Sequence, residues 1–326
     1  MENGTPSSEG NDPGQDNNKK EGWERNLLER LAFASLDEQR KARRWNIGFK
    51  IFFGVYLLIL LGMALSDPRD VKPRGDFTAL VELEGIIAPN TPASADYVVS
   101  GLRDAFKSKA KAVIIRSNSP GGSPVQSGYI YNEIKRLRKK HPEKPVYAVI
   151  TDICASGCYY AVAGADRIFA SEGSIVGSIG VLMDGFGFVG TMKKFGAERR
   201  LMTAGKNKGM LDPFSPQNPR HNRHIKTMLG EIHQQFIDVV KEGRGKTLKK
   251  NREIFSGLFW TGETAIKLGL VDEFASASHV AREIVGAEDI VDFSYRENWL
   301  DRIAGGIGSA MANTLSSRFM GQGSIR

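Results

Sequence analysis

The stretch KPVYAVITDICASGCYYAVAGADRI, residues 144–168, contains a predicted strand, a tight turn and a helix in direct succession. The apolar run 144–150 is typical of a buried strand, and the small and apolar residues of 157–165 indicate a buried helix. Ser156 lies at the turn between them, where its hydroxyl can cap the helix. The same hydroxyl can instead be a nucleophile, which requires a base from elsewhere in the chain. This stretch alone leaves both interpretations open.

Strands and helices alternate on both sides of this stretch. The predicted strands are extended or apolar runs, namely 77–87, 111–117, 144–150, 166–171, 177–183 and 197–203. The predicted helices have apolar residues at helical spacing, namely 94–108, 125–140, 157–165, 222–245 and 247–255. Alternation of this kind predicts an α/β domain with a parallel sheet and flanking helices.

Residues 47–65 form an apolar segment of nineteen residues in which Lys50 is the only charge. This length suits a single N-terminal transmembrane helix. The segment RKARR (40–44) carries four positive charges, which favours the cytoplasmic side for this end. A cleaved signal peptide is the alternative, but the 46-residue polar leader is far longer than the charged start of such a peptide. We expect a single-pass protein of the inner (cytoplasmic) membrane, with its N-terminus cytoplasmic and its later residues on the outer (periplasmic) side.

The composition, 41% hydrophobic and 25% charged, is that of a globular protein. The formal net charge of +8 is expected to draw the exported part toward anionic lipid. No nucleic-acid-binding motif accompanies this charge, so we expect no nucleic-acid partner. The predicted segments are a cytoplasmic tail (1–46) with a short amphipathic helix, the membrane helix (47–65), a linker (66–76), the folded domain (77–295) and a C-terminal tail (296–326).

Cysteine and histidine offer few alternatives for catalysis. Cys154 and Cys158 are the two cysteines, and a disulfide between them would bridge the turn at Ser156. Buried small hydrophobic side chains are the preferred interpretation of both. The five histidines are scattered, and His221 and His224 have no further ligand close by in the sequence. We expect neither a metal nor a cofactor.

A second loop, RSNSPGGSP (116–124), leaves the end of a predicted strand and enters a helix. Ligands in an open α/β sheet bind at the carboxyl ends of the strands, so this loop and the turn at Ser156 are expected at one site. Glycines leave backbone N–H groups unshielded by side chains. Gly121 or Gly122 can therefore donate one hydrogen bond to an oxyanion, and Gly157 a second. A plain strand-to-helix turn is the alternative.

These motifs together resemble the signal peptide peptidase A family. The segments that carry the resemblance, in order, are SNSPGGS, ICASGCYYAVAGADRIFAS, EGSIVGSIGV and GLFWTGETAIKLGLVDE. The resemblance covers about residues 77–295 and corresponds to the short, single-repeat form. It implies a Clp protease/crotonase-like fold, a membrane-anchored serine protease, hydrophobic peptides such as cleaved signal peptides as substrates, and a ring- or dome-like homo-oligomer. Cys158 departs from the glycine more common in the family.

The resemblance also implies a Ser/Lys dyad in which Ser156 is the nucleophile. A lysine acts as a base only where burial lowers its pKa enough to leave the amine neutral. The matching segment is TAGKNKGMLDPF (203–214), and its spacing favours Lys208 over Lys206. Ser178 matches the family serine that orients the lysine, with a turn serine as the alternative.

Two other functions remain as alternatives. A crotonase-type acyl-CoA hydratase or isomerase shares the paired-amide oxyanion hole, but it would need carboxylates in the pocket and a coenzyme A site. A catalytically silent membrane scaffold of the same fold would not need the serine and lysine that this chain contains. Labelling by a fluorophosphonate probe would separate the protease from both.

Overall fold

The computed structural model describes residues 40–62 and 75–295. They fall into two units, which we treat separately. The first contains helix α1, Arg40–Gly62, which is long and apolar enough to cross a membrane. It begins before the predicted membrane segment, because RKARR continues the helix. Residues 1–39 of the predicted cytoplasmic tail, the end of the predicted membrane segment (63–65), most of the linker and the predicted C-terminal tail lie outside the described residues.

The second unit is built on one sheet. Its strands are β1 Thr78–Glu84, β2 Val113–Ser119, β3 Val146–Ala155, β4 Arg167–Ala170, β5 Ile175–Gly177, β6 Phe259–Thr261, β7 Glu273–Phe274 and β8 Ile290–Asp292. The order is β6-β5-β3-β2-β1-β8, and β4 pairs with β3 and β7. The strand pairs are parallel except β5 with β6. The predicted α/β class with a mostly parallel sheet is confirmed.

Helices connect these strands. They are α2 Ala95–Lys107, α3 Pro124–Lys140, α4 Gly157–Val162, α5 Val189–Lys194, α6 Pro219–Arg244, α7 Gly262–Leu268 and α8 Ala277–His279. Two 3-10 turns, Gly245–Thr247 and Arg252–Phe255, and one π-helical segment, Val280–Val285, complete the described elements.

The sheet is buried on both faces, which explains the continuous apolar runs of its central strands. Val113 and Ile115 point into the main core with α2, whereas Ile114 between them packs into a smaller cluster on the other face. In α2, Val98 and Leu102 recur at helical spacing and are buried against the main core. The helices therefore hold the carboxyl ends of β2 and β3 in fixed positions.

A shift in the pairing register between β2 and β3 explains where β3 ends. From Ser117 to Ser119 β2 advances two residues, while its partners on β3 run from Ile150 to Cys154, four residues. The extra residues let β3 continue to Ala155 and pair with β5 beyond the point where the sequence predicted its end. Irregularities of this kind commonly re-aim a strand next to a functional site.

Three of the predicted elements differ in the structure. The segment 197–203 is exposed and irregular rather than a strand, and within the described residues no strand pairs with it. The strand predicted at 177–183 lies earlier, as β5. The helix predicted at 247–255 is reduced to the two 3-10 turns, and the short strands β6, β7 and β8 were not predicted.

Glu133 on α3 links two helices and gives the domain a measurable pH dependence. Its buried carboxylate accepts hydrogen bonds from Arg136 at 2.6 and 2.8 Å and from Arg103 on α2 at 2.7 Å. The hydrogen bond from Arg136 lowers the pKa of Glu133 to about 2, with burial opposing and Arg103 adding to the effect. The folded state therefore favours the ionised carboxylate.

Replacing Glu133 by Gln should lower the free energy of unfolding at pH 7 by about 2 kcal/mol. Because the folded pKa lies below the ordinary value of 4.5, this contribution is complete above about pH 4.5 and is lost as the pH falls toward 2. Urea unfolding of both proteins at pH 7 and pH 3 measures it. Glu263→Gln, which removes an exposed pair with Lys267, is the matched control and should change little. An equal difference at both pH values would contradict the assignment.

Candidate active site

The turn between β3 and α4 has an unusual backbone. Ser156 has φ 53° and ψ −123°, a region that residues other than glycine rarely adopt. Its amide donates to the Gly177 carbonyl of β5 at 2.8 Å, and its carbonyl accepts from the Tyr160 amide at 3.0 Å. The Ser156 side chain makes no capping hydrogen bond within the described structure. The backbone of Ser156 is thus held, while its hydroxyl is not used to cap the helix.

The glycine loop after β2 packs directly against this turn. A Cβ atom on Gly121 would lie 2.6 Å from the Gly157 nitrogen and 2.9 Å from the Ser156 Cβ, so only glycine fits at this approach. The Gly121 amide donates to the Ser119 Oγ at 3.1 Å. For the amides of Gly122 and Gly157, the described residues provide no acceptor. Of the two predicted alternatives in this loop, Gly122 is therefore the one with a free donor.

Ser156 opens onto a cavity of about 510 Å³. The polar groups that line it include Ser156, Ser178, Gly122 and Gly157, the residues that the sequence predicted at one site. Its apolar walls come from α4, the segment after β5 and α6, and comprise Tyr160, Val181, Leu182, Ile232 and Phe236. Sequence reasoning missed these wall residues, because an apolar residue at helical spacing looks the same whether it faces a core or a cavity.

Ser178 lies immediately after β5 and lines the same cavity as Gly122 of the glycine loop. Its φ is 52°, also unusual for a non-glycine residue, and its amide donates to the Leu258 carbonyl at 2.8 Å. Strand β5 is thus hydrogen-bonded to the turn at Ser156 through Gly177, and the following residue, Ser178, is hydrogen-bonded to the segment before β6. These hydrogen bonds fix the backbone position of Ser178, and therefore the position of its Cβ atom.

The structure does not bring either candidate lysine to this cavity. Lys206 and Lys208 lie on an exposed turn in the segment 181–218, and neither lines the cavity. Local contacts hold the segment together: Asn207 pairs with His221 of α6 at 3.2 Å, and Arg199 with Asp212 at 3.4 Å. The segment is ordered by its own contacts but stands away from the core.

This segment also exposes an unusual amount of apolar surface. Leu182, Phe186 and Phe195 are each 82% exposed, and Met202 is 93% exposed. Large exposed apolar patches are typical of surfaces that bind proteins or membranes.

The interpretation of the cysteines as free, buried thiols is wrong. Cys154 and Cys158 are fully buried as expected, but they form a disulfide. The turn at Ser156 folds the chain back so that their Cα atoms are 5.1 Å apart, within the range that a disulfide requires. The spacing of four residues could not predict this bond, because whether two such side chains meet depends on how the chain turns between them.

Comparison with known proteins agrees with the fold and the motifs. The model of peptidase family S49 matches residues 138–289. The chain is 34% identical over 218 residues to a putative protease of Methanocaldococcus jannaschii, covering 65% of this chain and 69% of that protein. It is 32% identical over 163 residues to a putative signal peptide peptidase SppA of Enterococcus faecium, covering 50% and 47%.

A third relative carries a different name. The chain is 47% identical over 186 residues to a Na⁺/H⁺ antiporter NhaA of Brucella abortus, which covers 57% of this chain but only 25% of that protein. The shared part is thus a quarter of the Brucella protein's length.

The mostly parallel sheet with flanking helices fits a Clp protease/crotonase-like fold. The chain belongs to peptidase family S49, and the resemblance to signal peptide peptidase A proteins is confirmed.

Proposed function

We propose that the chain is a membrane-tethered serine endopeptidase that degrades hydrophobic peptides by a Ser/Lys dyad. The observation that carries the proposal is the position of the Ser156 hydroxyl. It makes no capping hydrogen bond, it lies on a strained turn, and it shares a cavity with the free amides of Gly122 and Gly157. A strained backbone at a reactive side chain is a common feature of functional sites. The peptidase family of the chain supports the same conclusion.

In this mechanism the Ser156 Oγ attacks the peptide carbonyl carbon as its proton passes to the neutral amine of Lys208. The carbonyl oxygen becomes an oxyanion, which accepts hydrogen bonds from the amides of Gly122 and Gly157. The C–N bond breaks, and the leaving amine takes the proton from the lysine. Water, deprotonated by the same amine, then hydrolyses the acyl-enzyme. Ser178 holds the lysine amine in place.

Lys208 reaches the cavity from a neighbouring subunit in this proposal. Two observations support that arrangement: the lysine stands on a segment outside its own cavity, and this segment exposes apolar side chains that need a cover. A homo-oligomer in which segment 181–218 lies against the next subunit would satisfy both. Such a contact would be heterologous, since it joins two different surfaces of neighbouring subunits. Subunits joined in this way form a closed ring when the rotation between neighbours allows it.

The cavity walls indicate the substrate class. Tyr160, Phe236 and Leu182 present apolar surface within the cavity that Ser156 enters. Side chains of an extended hydrophobic peptide would be desolvated there at a gain of about 25 cal/mol per Å². Cleaved signal peptides, which are apolar segments in the membrane, meet this description.

Helix α1 is the proposed anchor, with the peptidase domain on the outer side of the membrane. The positive charges before the apolar segment support this orientation. The disulfide supports it as well, because disulfides persist outside the cytoplasm and are rare within it.

Peptide cleavage by the full chain in detergent micelles tests the function. We expect hydrolysis of a quenched fluorescent peptide with an apolar core, and much slower hydrolysis of a peptide of equal length with Asp and Lys in that core. Hydration of an enoyl-CoA in place of peptide cleavage would indicate the crotonase-type alternative. An assembled protein that does neither would support the silent scaffold.

Mixing two inactive variants tests the shared site. Ser156→Ala retains Lys208, and Lys208→Ala retains Ser156, so random mixed oligomers should regain about a quarter of the wild-type sites if the dyad spans two subunits. Differently tagged variants, dissociated and reassembled together, should therefore recover hydrolysis that neither has alone. Co-purification of both tags without recovered hydrolysis would contradict the shared site.

A further inference from the structure

The disulfide encloses the proposed nucleophile within a short covalent loop. Cys154 is the next-to-last residue of β3, Cys158 lies in the first turn of α4, and Ser156 is midway between them. Both cysteines are fully buried in the main core, so their side chains cannot move without disturbing it. The bond thus ties the strand before Ser156 to the helix after it.

Ser156 needs such a restraint. Its φ of 53° is one that a serine leaves when the surrounding chain allows it. The backbone bonds from Ser156 to Gly177 and from Tyr160 to Ser156 act on this residue, but α4 is only six residues long. A short helix is held mainly by packing, since a single turn contributes few hydrogen bonds of its own. The disulfide adds a covalent restraint at the point where the helix begins.

We propose that the Cys154–Cys158 disulfide is a positioning element of the catalytic turn, so that the peptidase is fully active only when this bond is formed. The proposal rests on the function proposed above. With the bond formed, the turn holds the Ser156 Oγ next to the amides of Gly122 and Gly157. With the bond reduced, the turn relaxes and the hydroxyl leaves the position from which it attacks. Both cysteines act through Ser156 and contact no reacting atom.

The redox step is a thiol–disulfide exchange. On reduction, a dithiol gives two electrons and two protons to the sulfur atoms, the S–S bond becomes two thiols, and the dithiol becomes a cyclic disulfide. On oxidation, a disulfide such as oxidised glutathione accepts the two electrons and two protons and leaves as two thiols. An oxidising compartment outside the cytoplasm would supply an oxidant of this class.

The test compares oxidised and reduced full chain in detergent. Because both sulfur atoms are buried, dithiothreitol is added in mild urea and both reagents are then removed, with a urea-only sample as control. We expect kcat for peptide hydrolysis to fall by about 10²-fold on reduction, since a small displacement of a reacting group has an effect of that size. KM should change little, because most of the apolar wall lies outside the turn, namely Val181, Leu182, Ile232 and Phe236. Oxidised glutathione should restore kcat.

Variants separate positioning from packing. Cys154→Ala/Cys158→Ala should match the reduced wild type and should not respond to dithiothreitol. Ile134→Val shortens a fully buried core side chain that does not line the cavity, and it controls for lost stability. Measured at a temperature well below the melting temperature of this variant, its kcat should equal that of the wild type. If reduction and the double variant leave kcat unchanged, or if both thiols are alkylated before reduction, the proposal is overturned.

Hydrogen exchange distinguishes failure of this proposal from failure of the peptidase function. Should the oxidised chain hydrolyse no peptide, the proposed function fails, and exchange of the amides in 151–163 still reports on the turn. Faster exchange on reduction supports a restraint on the turn, whereas unchanged exchange overturns it.

Discussion

Ser156→Ala should lower kcat/KM for peptide hydrolysis by about 10⁴-fold or more while leaving the melting temperature nearly unchanged. The nucleophile supplies the atom that forms the covalent bond, so its loss removes the whole acyl-enzyme route. Stability should persist because the hydroxyl makes no capping bond in the described structure and alanine is no larger than serine. Steady-state hydrolysis and thermal unfolding of the same preparations measure both effects.

A real helix cap provides the matched control. Thr261 caps α7, accepting a hydrogen bond from the Thr264 amide at 3.3 Å, and does not line the cavity. Thr261→Ala should lower the free energy of unfolding by about 1 kcal/mol and leave hydrolysis unchanged. If Ser156→Ala behaved like Thr261→Ala, with lowered stability and retained activity, Ser156 would be a structural residue and the proposed mechanism would be wrong.

Lys208→Ala should remove hydrolysis to a similar degree, with Lys206→Ala nearly silent. Both lysines are exposed within one subunit, so neither substitution should alter its stability. Lys208→Arg should not rescue activity, because a guanidinium stays protonated and cannot accept the serine proton. Hydrolysis rates of the three variants, with oligomer size checked for each, provide the measurement.

Comparison of Lys206→Ala with Lys208→Ala identifies which of the two lysines is the base. If Lys206→Ala were inactive and Lys208→Ala active, the base would lie two residues earlier in the loop. If both kept full activity, the lysine dyad would be excluded while the serine could still act with another base.

Much of the fold could be predicted because the signals were local. The apolar runs that became β2 and β3, and the helical spacing of α2 and α3, each depend on residues within one element. The strand predicted at 197–203 was wrong because a strand needs a pairing partner, which a short stretch of sequence cannot show. The end of β3 moved for the converse reason: β5 pairs with Ile153–Ala155 and extends the strand past its apolar run.

In the candidate site too, features with a local sequence signal could be predicted and features that depend on the folded chain could not. The sharing of one cavity by Ser156, Gly122 and Gly157 could be predicted because the loops that carry them each follow a predicted strand, at the end of a parallel sheet where ligands bind. The disulfide could not, since it depends on the reversal of the chain at Ser156. The distance of Lys208 from its own cavity could not be predicted either, because it depends on how the exposed segment 181–218 folds relative to the domain, which the periodicity of that segment does not indicate.

The site of covalent labelling tests the central claim most directly. The assembled full chain is treated with a fluorophosphonate, which forms a stable bond only with an activated hydroxyl, and the adduct is located by peptide mass spectrometry. We predict one adduct, on Ser156, that disappears in Lys208→Ala. An adduct on a different residue, or hydrolysis of peptide by a chain whose Ser156 is never labelled, would contradict the proposed mechanism.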